Sequence, residues 1–414
     1  MKSHWNFPGP ILTKKPLMPW KLPLVLLFIA SSLSQAGDLK VSADFSGGSV
    51  EVLDLDQENR IVKIRPTQHQ ERGWNCWWYF RLTGITPGET ITLDVSEAPW
   101  ATPDRAAVSL DNVAWQQTDP GRRDGKRIVY RHKVDADACW FAWGPVFGID
   151  EAQRLVAEAA KSSPHATAFE LCQTQAGRPV PALIVRQEGA PQGQRRGIWV
   201  QARQHAWESG SSWVCRGFTE WLLGDDPQAE ALRKQATVTI VPIMDIDNVA
   251  IGAGGKNQVP QDHNRDWSAQ PHWNSVRAAQ KRILEMNDAG QFDLFVDLHN
   301  PDAGSKNPFY FVPPKEQLTE LGEENLQRFI ATTQLEMTGP LTYKGEAKPS
   351  GSNYDKNWKK MSKNWVMDNT HEGVVAVTLE TAWNTPHSHS DGYRAVGQQL
   401  GKAMERYFRT AEAE

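Results

Sequence analysis

Gly197-Ile198-Trp199-Val200-Gln201-Ala202-Arg203-Gln204-His205-Ala206-Trp207-Glu208 is the stretch from which the rest of this chain can be read. Its first half is an apolar run of the kind that forms a buried strand, and open α/β sheets place ligands just beyond the carboxyl ends of such strands. His205 and Glu208 leave that run together. An imidazole and a carboxylate three positions apart in a turn can converge on one Zn²⁺, which takes a third protein ligand and, in catalytic sites, keeps a fourth position for water. His299 is the candidate third ligand. It closes Phe292-Asp293-Leu294-Phe295-Val296-Asp297-Leu298-His299, a second strand-like run, 94 residues after His205. HxxE alone is a loose pattern in a chain with 11 His, and a strand-terminal His is often only hydrogen-bonded. Their shared placement at strand ends gives the pair weight.

Two further pieces carry chemistry. Asp262-His263-Asn264-Arg265-Asp266-Trp267 sets a guanidinium beside an amide, and an Arg fork suits a carboxylate because it offers two parallel N–H bonds. Val375-Ala376-Val377-Thr378-Leu379-Glu380-Thr381 is a third strand-like run, ending in a carboxylate. Beside an activated water, Glu380 could accept a proton and pass it to a leaving amine. The glycine-rich Gly252-Ala253-Gly254-Gly255-Lys256 is not a phosphate loop, because Asn257 follows where Ser or Thr is needed. Asn257 also stands where a dinucleotide fingerprint needs its third glycine.

Around these motifs the chain changes grammar once. From Asp38 to about Asp150, short alternating runs are broken by turn residues: Ser49 to Leu53, Ile61 to Ile64, Trp74 to Leu82, Thr90 to Val95, Ile128 to His132 and Cys139 to Trp143. That pattern predicts a small all-β sandwich over 37–150. From 151 to 414, strands alternate with helices, beginning with a helix over Glu151 to Lys161 and ending with one over Asp391 to Phe408. This predicts an α/β domain with a mixed, mostly parallel sheet flanked by helices. The lysine-rich Lys344 to Lys363 has little periodicity and reads as a surface excursion, of the kind that forms lids. Trp77, Trp78, Trp140 and Trp143, among 18 Trp, sit in strand patterns and read as core packing.

Residues 1–36 read as a secretory signal peptide. Lys14, Lys15 and Lys21 precede the apolar Leu22 to Leu33, too short to span a bilayer, and Ser34-Gln35-Ala36 offers small residues for cleavage. Met18 offers a more compact start. Removing this leader, with four Lys and no acid, takes the net charge from −4 to −8, which argues against a nucleic-acid partner. No second run could span a membrane, so the expectation is an exported, periplasmic or secreted protein of unspecified oligomeric state. Export permits disulfides among Cys76, Cys139, Cys172 and Cys215; Cys76–Cys139 is the expected pair if one forms, and four buried thiols are the equal alternative.

The order HxxE, Asn-Arg, strand-His, strand-Glu resembles the zinc metallocarboxypeptidase family (carboxypeptidase A-like). Trp77-Trp78-Tyr79-Phe80-Arg81 and Trp140-Phe141-Ala142-Trp143 resemble the β-sandwich of its cytosolic carboxypeptidase branch. The resemblance implies one Zn²⁺ per chain held by His205, Glu208 and His299, Asn264 and Arg265 as a clamp for the substrate's terminal carboxylate, and Glu380 as general base. It implies peptide or protein substrates with a free carboxyl end. The family's oxyanion-stabilising basic residue, usually Arg, precedes Asn-Arg. Here the nearby candidate is Lys256, a point charge rather than a fork, and Gln258 is uncharged. Tyr343 and Tyr354 both lie where the family's substrate-contacting Tyr belongs, and His299-Asn300-Pro301-Asp302 replaces the branch's His-Gly-His. That branch acts on polyglutamate tails, a substrate at odds with a leader. Two alternatives remain open: a related zinc amidohydrolase acting on N-acyl amino acids or peptidoglycan stem peptides, and a non-catalytic binding protein with a degenerate site.

Overall fold

The computed structural model describes residues 37–96, 101–189 and 195–411, with Met1 and Gly9. The leader expected over 1–36 lies outside the described residues, apart from those two. Among the described residues no helix is long and apolar enough to cross a membrane.

The amino-terminal alternating runs become β1 (Lys40–Ser42), β2 (Glu51–Asp56), β3 (Ile61–Arg65), β4 (Tyr79–Thr83), β5 (Glu89–Ser96), β6 (Ala107–Ser109), β7 (Gln116–Gln117), β8 (Arg122–Asp124), β9 (Arg127–Val134) and β10 (Ala138–Ala142). They form two five-stranded sheets, ordered β1-β4-β10-β6-β7 and β2-β3-β5-β9-β8. Alternation sets the faces: Val62 and Ile64 of β3, and Ile128 and Tyr130 of β9, point inward while their neighbours face out. The inner faces meet where Trp78 approaches Tyr130 (ring centroids 6.5 Å) and His132 meets Phe141 (6.2 Å). Trp77, Trp78 and Trp143 are buried as expected, whereas Trp140 is half-buried under the Arg81 guanidinium.

The expected Cys76–Cys139 disulfide is absent, and all four cysteines are free. Register explains this. Cys139 sits opposite Leu82, while Cys76 lies beyond the far end of the ladder, where Ala142 pairs with Tyr79.

The remaining elements are α1 (Ile149–Ser162), β11 (Ala166–Gln173), β12 (Pro179–Val185), β13 (Arg196–Ala202), α2 (Ser209–Leu223), α3 (Pro227–Gln235), β14 (Ala236–Val241), α4 (Ile246–Ile251), α5 (Asn274–Asp288), β15 (Leu294–His299), β16 (Phe309–Val312), α6 (Glu320–Glu336), β17 (Ala347–Pro349), α7 (Ser362–Asn369), β18 (Val375–Glu380) and α8 (Ser390–Ala411). Helices flank one eight-stranded sheet, ordered β11-β12-β14-β13-β15-β18-β16-β17. Its centre, β14-β13-β15-β18, is parallel, and the pairs β11/β12, β12/β14 and β16/β18 are antiparallel. The central strands are buried on both faces, which is why they read as unbroken apolar runs.

The lysine-rich segment is not simply a surface excursion. β17 adds parallel to β16 at the sheet edge, and Ser350, Met361, Ser362 and Lys363 are buried. The rest of it alternates between half-buried and exposed residues, with Ser352 to Tyr354 an exposed run.

Candidate metal centre and active site

Three parallel strands end together at one edge of the sheet. His299 closes β15 directly beside Glu380, which closes β18, and the register pairs the two residues. β13 ends one step earlier, at Ala202 opposite Leu298. Arg203 then turns the chain with φ 65°, and its guanidinium donates to the carbonyls of Ala206 (2.8 Å) and Phe147 (2.8 Å), pinning the loop that carries His205.

Both imidazoles aim Nδ1 at one carboxylate. His205 Nδ1 lies 2.8 Å from Glu208 Oε1, and His299 Nδ1 lies 2.8 Å from Glu208 Oε2. One ligand atom from each residue falls within 4.8 Å of the others. The opposite ring nitrogens are held by carboxylates: His205 Nε2 by Asp262 Oδ1 (3.1 Å) and His299 Nε2 by Asp297 Oδ2 (3.0 Å). A carboxylate on Nε2 fixes the tautomer that leaves a lone pair on Nδ1, the usual outer support of a metal-bound histidine. Two such nitrogens and a carboxylate, all buried, are a donor set that fits Zn²⁺. Burial opposes ionisation of Glu208, but the two imidazoles outweigh it and hold the carboxyl below its usual range. Burial likewise opposes charge on His299, and Asp297 and Glu208 outweigh it in raising that imidazole.

Asn300 stitches the three strand ends together. Its backbone N–H donates to Glu208 Oε2 (3.2 Å), its Oδ1 accepts from Ser211 N at the start of α2 (3.1 Å), and its Nδ2 donates to Thr381 O (2.7 Å). Glu380 is buried, its Oε2 has no hydrogen-bond partner, and burial lifts its carboxyl to about 7.

His205, Glu208, Lys256, Tyr354 and Glu380 line a cavity of 310 Å³, with Trp74, Trp207, Phe309, Phe311 and Trp383 among its apolar walls. Of the two tyrosine candidates, Tyr354 faces this cavity and packs at a tilt on Phe311 (4.8 Å), while Tyr343 is buried against Tyr310. The glycine-rich segment serves close packing. A Cβ on Gly254 would fall 2.0 Å from Trp74 O, and one on Gly255 would meet Ala206 N at 2.9 Å. Bare backbone there brings Lys256 to the cavity beside the metal loop.

The clamp residues are placed differently. Asn264 lies against the metal centre, Nδ2 3.4 Å from His299 Nε2 and Oδ1 accepting from Ser362 N (3.0 Å). Arg265 opens instead on a neighbouring cavity of 520 Å³. Its Nε donates to Asp355 (2.9 Å) and its Nη1 to the Asn264 carbonyl (2.9 Å). Tyr354 and Asp355, adjacent in sequence, therefore separate the two spaces.

Sequence reasoning missed Asp262, Asp297, Asn300, Ser362 and Lys363. For Asp297 a signal existed, since it precedes His299 by two positions on one strand and so shares its face.

Comparison with known proteins points to the same family. The zinc carboxypeptidase family matches residues 153–293, and the cytosolic carboxypeptidase N-terminal domain matches residues 41–143. The chain carries a zinc carboxypeptidase domain, of a class of hydrolases, behind a cytosolic carboxypeptidase amino-terminal domain. Of the two matched parts, the amino-terminal one is the part that the cytosolic carboxypeptidases carry. It is 27% identical over 271 residues to an uncharacterized protein of Zymomonas mobilis, covering 64% of this chain and 68% of the relative. It is 26% identical over 222 residues to cytosolic carboxypeptidase 2 of Danio rerio, covering 46% of this chain and 31% of the relative. The chain thus spans under a third of the length of that cytosolic enzyme. A metallo-carboxypeptidase structure from Burkholderia cenocepacia superposes with a TM-score of 0.77 at 23% identity, covering 90% of this chain and 99% of the other, a likeness of fold.

Proposed function

We propose that the protein is a zinc-dependent carboxypeptidase that releases the last residue of peptides with a free carboxyl end, and that it favours an acidic terminal residue. The observation that carries the reading is the convergence of His205 Nδ1 and His299 Nδ1 on Glu208, at a cavity that His205, Glu208 and Glu380 line, with one Glu380 oxygen unpartnered among the described residues. His205, Glu208 and His299 would hold the metal, which when bound polarises the scissile carbonyl and makes water nucleophilic at neutral pH.

Glu380 Oε2 takes a proton from the attacking water and returns it to the leaving amine. Lys256 brings positive charge to the cavity where the carbonyl oxygen gains negative charge. Arg265, steadied through Nε by Asp355, offers its remaining N–H groups to the terminal carboxylate, with Asn264 at its side. Phe309, Phe311 and Trp383 keep competing water from the reacting bond.

Lys363 supports the acidic preference. Its ammonium is buried, donates to Ser350 Oγ and to Asn364 Oδ1 (3.2 Å), and has no carboxylate at ion-pair distance among the described residues. The residue before it, Ser362, donates to Asn264 Oδ1 (3.0 Å) and to Asp297 Oδ2 (2.6 Å), which sets Lys363 behind the metal centre. A substrate carboxylate would complete it.

Replacing Glu380 by Gln tests the core of the reading. Zinc should be retained while kcat falls about 10²- to 10⁴-fold. Undiminished turnover would remove Glu380 from the reaction. An amidohydrolase acting without a carboxylate clamp would lose blocked and free-carboxyl substrates equally in Arg265→Ala, whereas a carboxypeptidase loses the free-carboxyl ones. Export is the accompanying inference, from Leu22 to Leu33 behind Lys14, Lys15 and Lys21. Sequencing the mature amino terminus checks it, and retention of Lys2 to Lys21 would refute it.

A further inference from the structure

His299 is followed by Asn300-Pro301-Asp302, where the sequence departs from the His-Gly-His of the cytosolic carboxypeptidases. Asn300 ties the strand ends together, but metal binding, proton transfer and oxyanion stabilisation all leave Asp302 without a task. Its place is nevertheless built. Trp383 Nε1 donates to the Pro301 carbonyl (2.6 Å), and the proline ring restricts the chain there. The turn that follows orients the carboxylate: Asp302 Oδ1 accepts from Gly304 N (2.7 Å) and Oδ2 from Ser305 Oγ (3.1 Å). A Cβ on Gly304 would fall 2.9 Å from Asp302 Oδ1, so the glycine leaves the carboxylate room. A carboxylate oxygen has two lone-pair sites, so one on each remains for a ligand.

Asp302 also lacks a counter-ion. Lys306, four positions on, donates instead to the carbonyls of Asn384 (2.9 Å) and Ala303 (3.5 Å), and among the described residues no cation lies at ion-pair distance from Asp302. Asp302 lines the catalytic cavity and not the Arg265 one. Of the other charged groups on the catalytic cavity, Glu208 is held between two imidazoles, Glu380 moves the proton and Lys256 serves the carbonyl oxygen. An anion that only accepts hydrogen bonds, in a cavity walled by Trp383, Phe309 and Phe311, suits a primary ammonium, which donates to the carboxylate and is drawn to ring faces. Reach agrees. Asp302 follows His299 by three positions, so their α-carbons lie at most about 11 Å apart, and the amino nitrogen of a tripeptide sits roughly 6–7 Å ahead of its last bond.

We propose that Asp302 receives a primary ammonium carried by the substrate upstream of the cleaved bond, from the free amino end of a short peptide or from a lysine side chain. The proposal rests on the carboxypeptidase reading above and adds the group recognised on the other side of the bond from Arg265.

Four peptides ending in glutamate test it: alanyl-alanyl-glutamate with a free amino end, the same peptide acetylated, and acetylated tripeptides with lysine or with methionine before the last residue. Glutamate release by the zinc-loaded full chain reads turnover, and calorimetry on Glu380→Gln reads affinity. At low salt the free amino end, or the lysine, should raise kcat/KM and affinity about fivefold over its uncharged counterpart, the upper range for a solvent-facing ion pair. The first contrast identifies the amino end as the source of the ammonium, the second the side chain. Asp302→Asn keeps an acceptor for Gly304 N and should bring both ratios to about one, a change that a general loss of activity would not produce. Both ratios at one in the protein with Asp302 intact overturn the proposal. So does a ratio that survives Asp302→Asn. Cleavage without either ratio would sink the ammonium site and leave the carboxypeptidase. An affinity ratio that Asp302→Asn abolishes, without cleavage of any peptide, would do the reverse.

Discussion

Replacing Lys363 by Met should make the protein more stable and less selective. Lys363 is 1% exposed, and among the described residues its ammonium hydrogen-bonds to Ser350 Oγ and Asn364 Oδ1 and lies 4.0 Å from Met361 Sδ. Burial, aided by the Arg265 charge, lowers its pKa from 10.5 to about 7. The unfolded chain therefore holds more protons than the fold between pH 7 and 10.5, so this group makes stability rise with pH across that window. Its cost is fully present below pH 7. At ~1.4 kcal/mol per pH unit that cost is about 5 kcal/mol. Methionine fills similar volume and removes the charge, but forfeits two hydrogen bonds worth about 1 kcal/mol each, leaving a gain of about 3 kcal/mol at pH 6. By pH 10 the wild-type lysine is neutral in the fold, and the gain should vanish or reverse. Urea unfolding of both proteins at pH 6 and pH 10 measures this, the difference between them isolating Lys363 from other titrating groups. On peptides ending in Glu rather than Leu, the variant should lose about 10- to 100-fold in kcat/KM, the worth of a hydrogen bond to a charged partner. A variant no more stable at pH 6, or a gain that does not shrink by pH 10, would refute the electrostatic reasoning. An undiminished preference for Glu would refute the role in specificity.

Asp297→Asn leaves the His299 Nε2 contact without its charge, and zinc affinity, measured by chelator competition, should fall about 10- to 100-fold. Unchanged affinity would free Asp297 from that role. Asp355→Asn loosens the hold on Arg265, so KM for free-carboxyl peptides should rise up to about tenfold with kcat and amidated substrates little affected. An equal effect on amidated peptides would point to general damage. Without reductant, denaturant should expose four thiols per chain to Ellman's reagent, while the fold shields Cys76, Cys139 and Cys215 and leaves Cys172 half-buried, burial pushing Cys139 and Cys215 up to about 12. Two reactive thiols would restore the Cys76–Cys139 bond.

The α/β order was legible because its central strands are buried on both faces and so read as continuous apolar runs, each ending in a ligand-type residue. His205, Glu208, His299 and Glu380 were visible for that reason. The short helices α3, α4 and α7 were not, since six to nine residues hold too few turns to show a period. α6 starts at Glu320 because Thr319 accepts from Gly322 N and caps it, while Lys315–Gln317 forms a separate 3₁₀ turn. Lys363 was hidden among Lys344, Lys348, Lys356, Lys359 and Lys360. Residue type cannot distinguish six lysines; only burial singles one out.

The β-sheet part cannot be treated as a separable module attached to an enzyme. Its turn supplies Trp74, a wall of the catalytic cavity and a neighbour of Trp207 in the metal loop (6.1 Å). Gly255 N donates to Arg72 O (2.8 Å), Trp74 N to Lys256 O (2.9 Å), and Trp207 N to Gly254 O (3.1 Å), so one continuous set of bonds runs from that turn into the loop between His205 and Glu208. Trp143, from the end of the same sheet, packs on Trp207 (5.0 Å) and Trp383 (4.7 Å). A ligand loop whose far side is formed by another part of the chain gains its rigidity from that part. Precise placement of metal ligands depends on such outer support. That coupling argues against the alternative of a binding domain joined to an idle scaffold, because aromatic packing and glycine spacing this close to His205 and Glu208 would have nothing to position if the cavity did no chemistry.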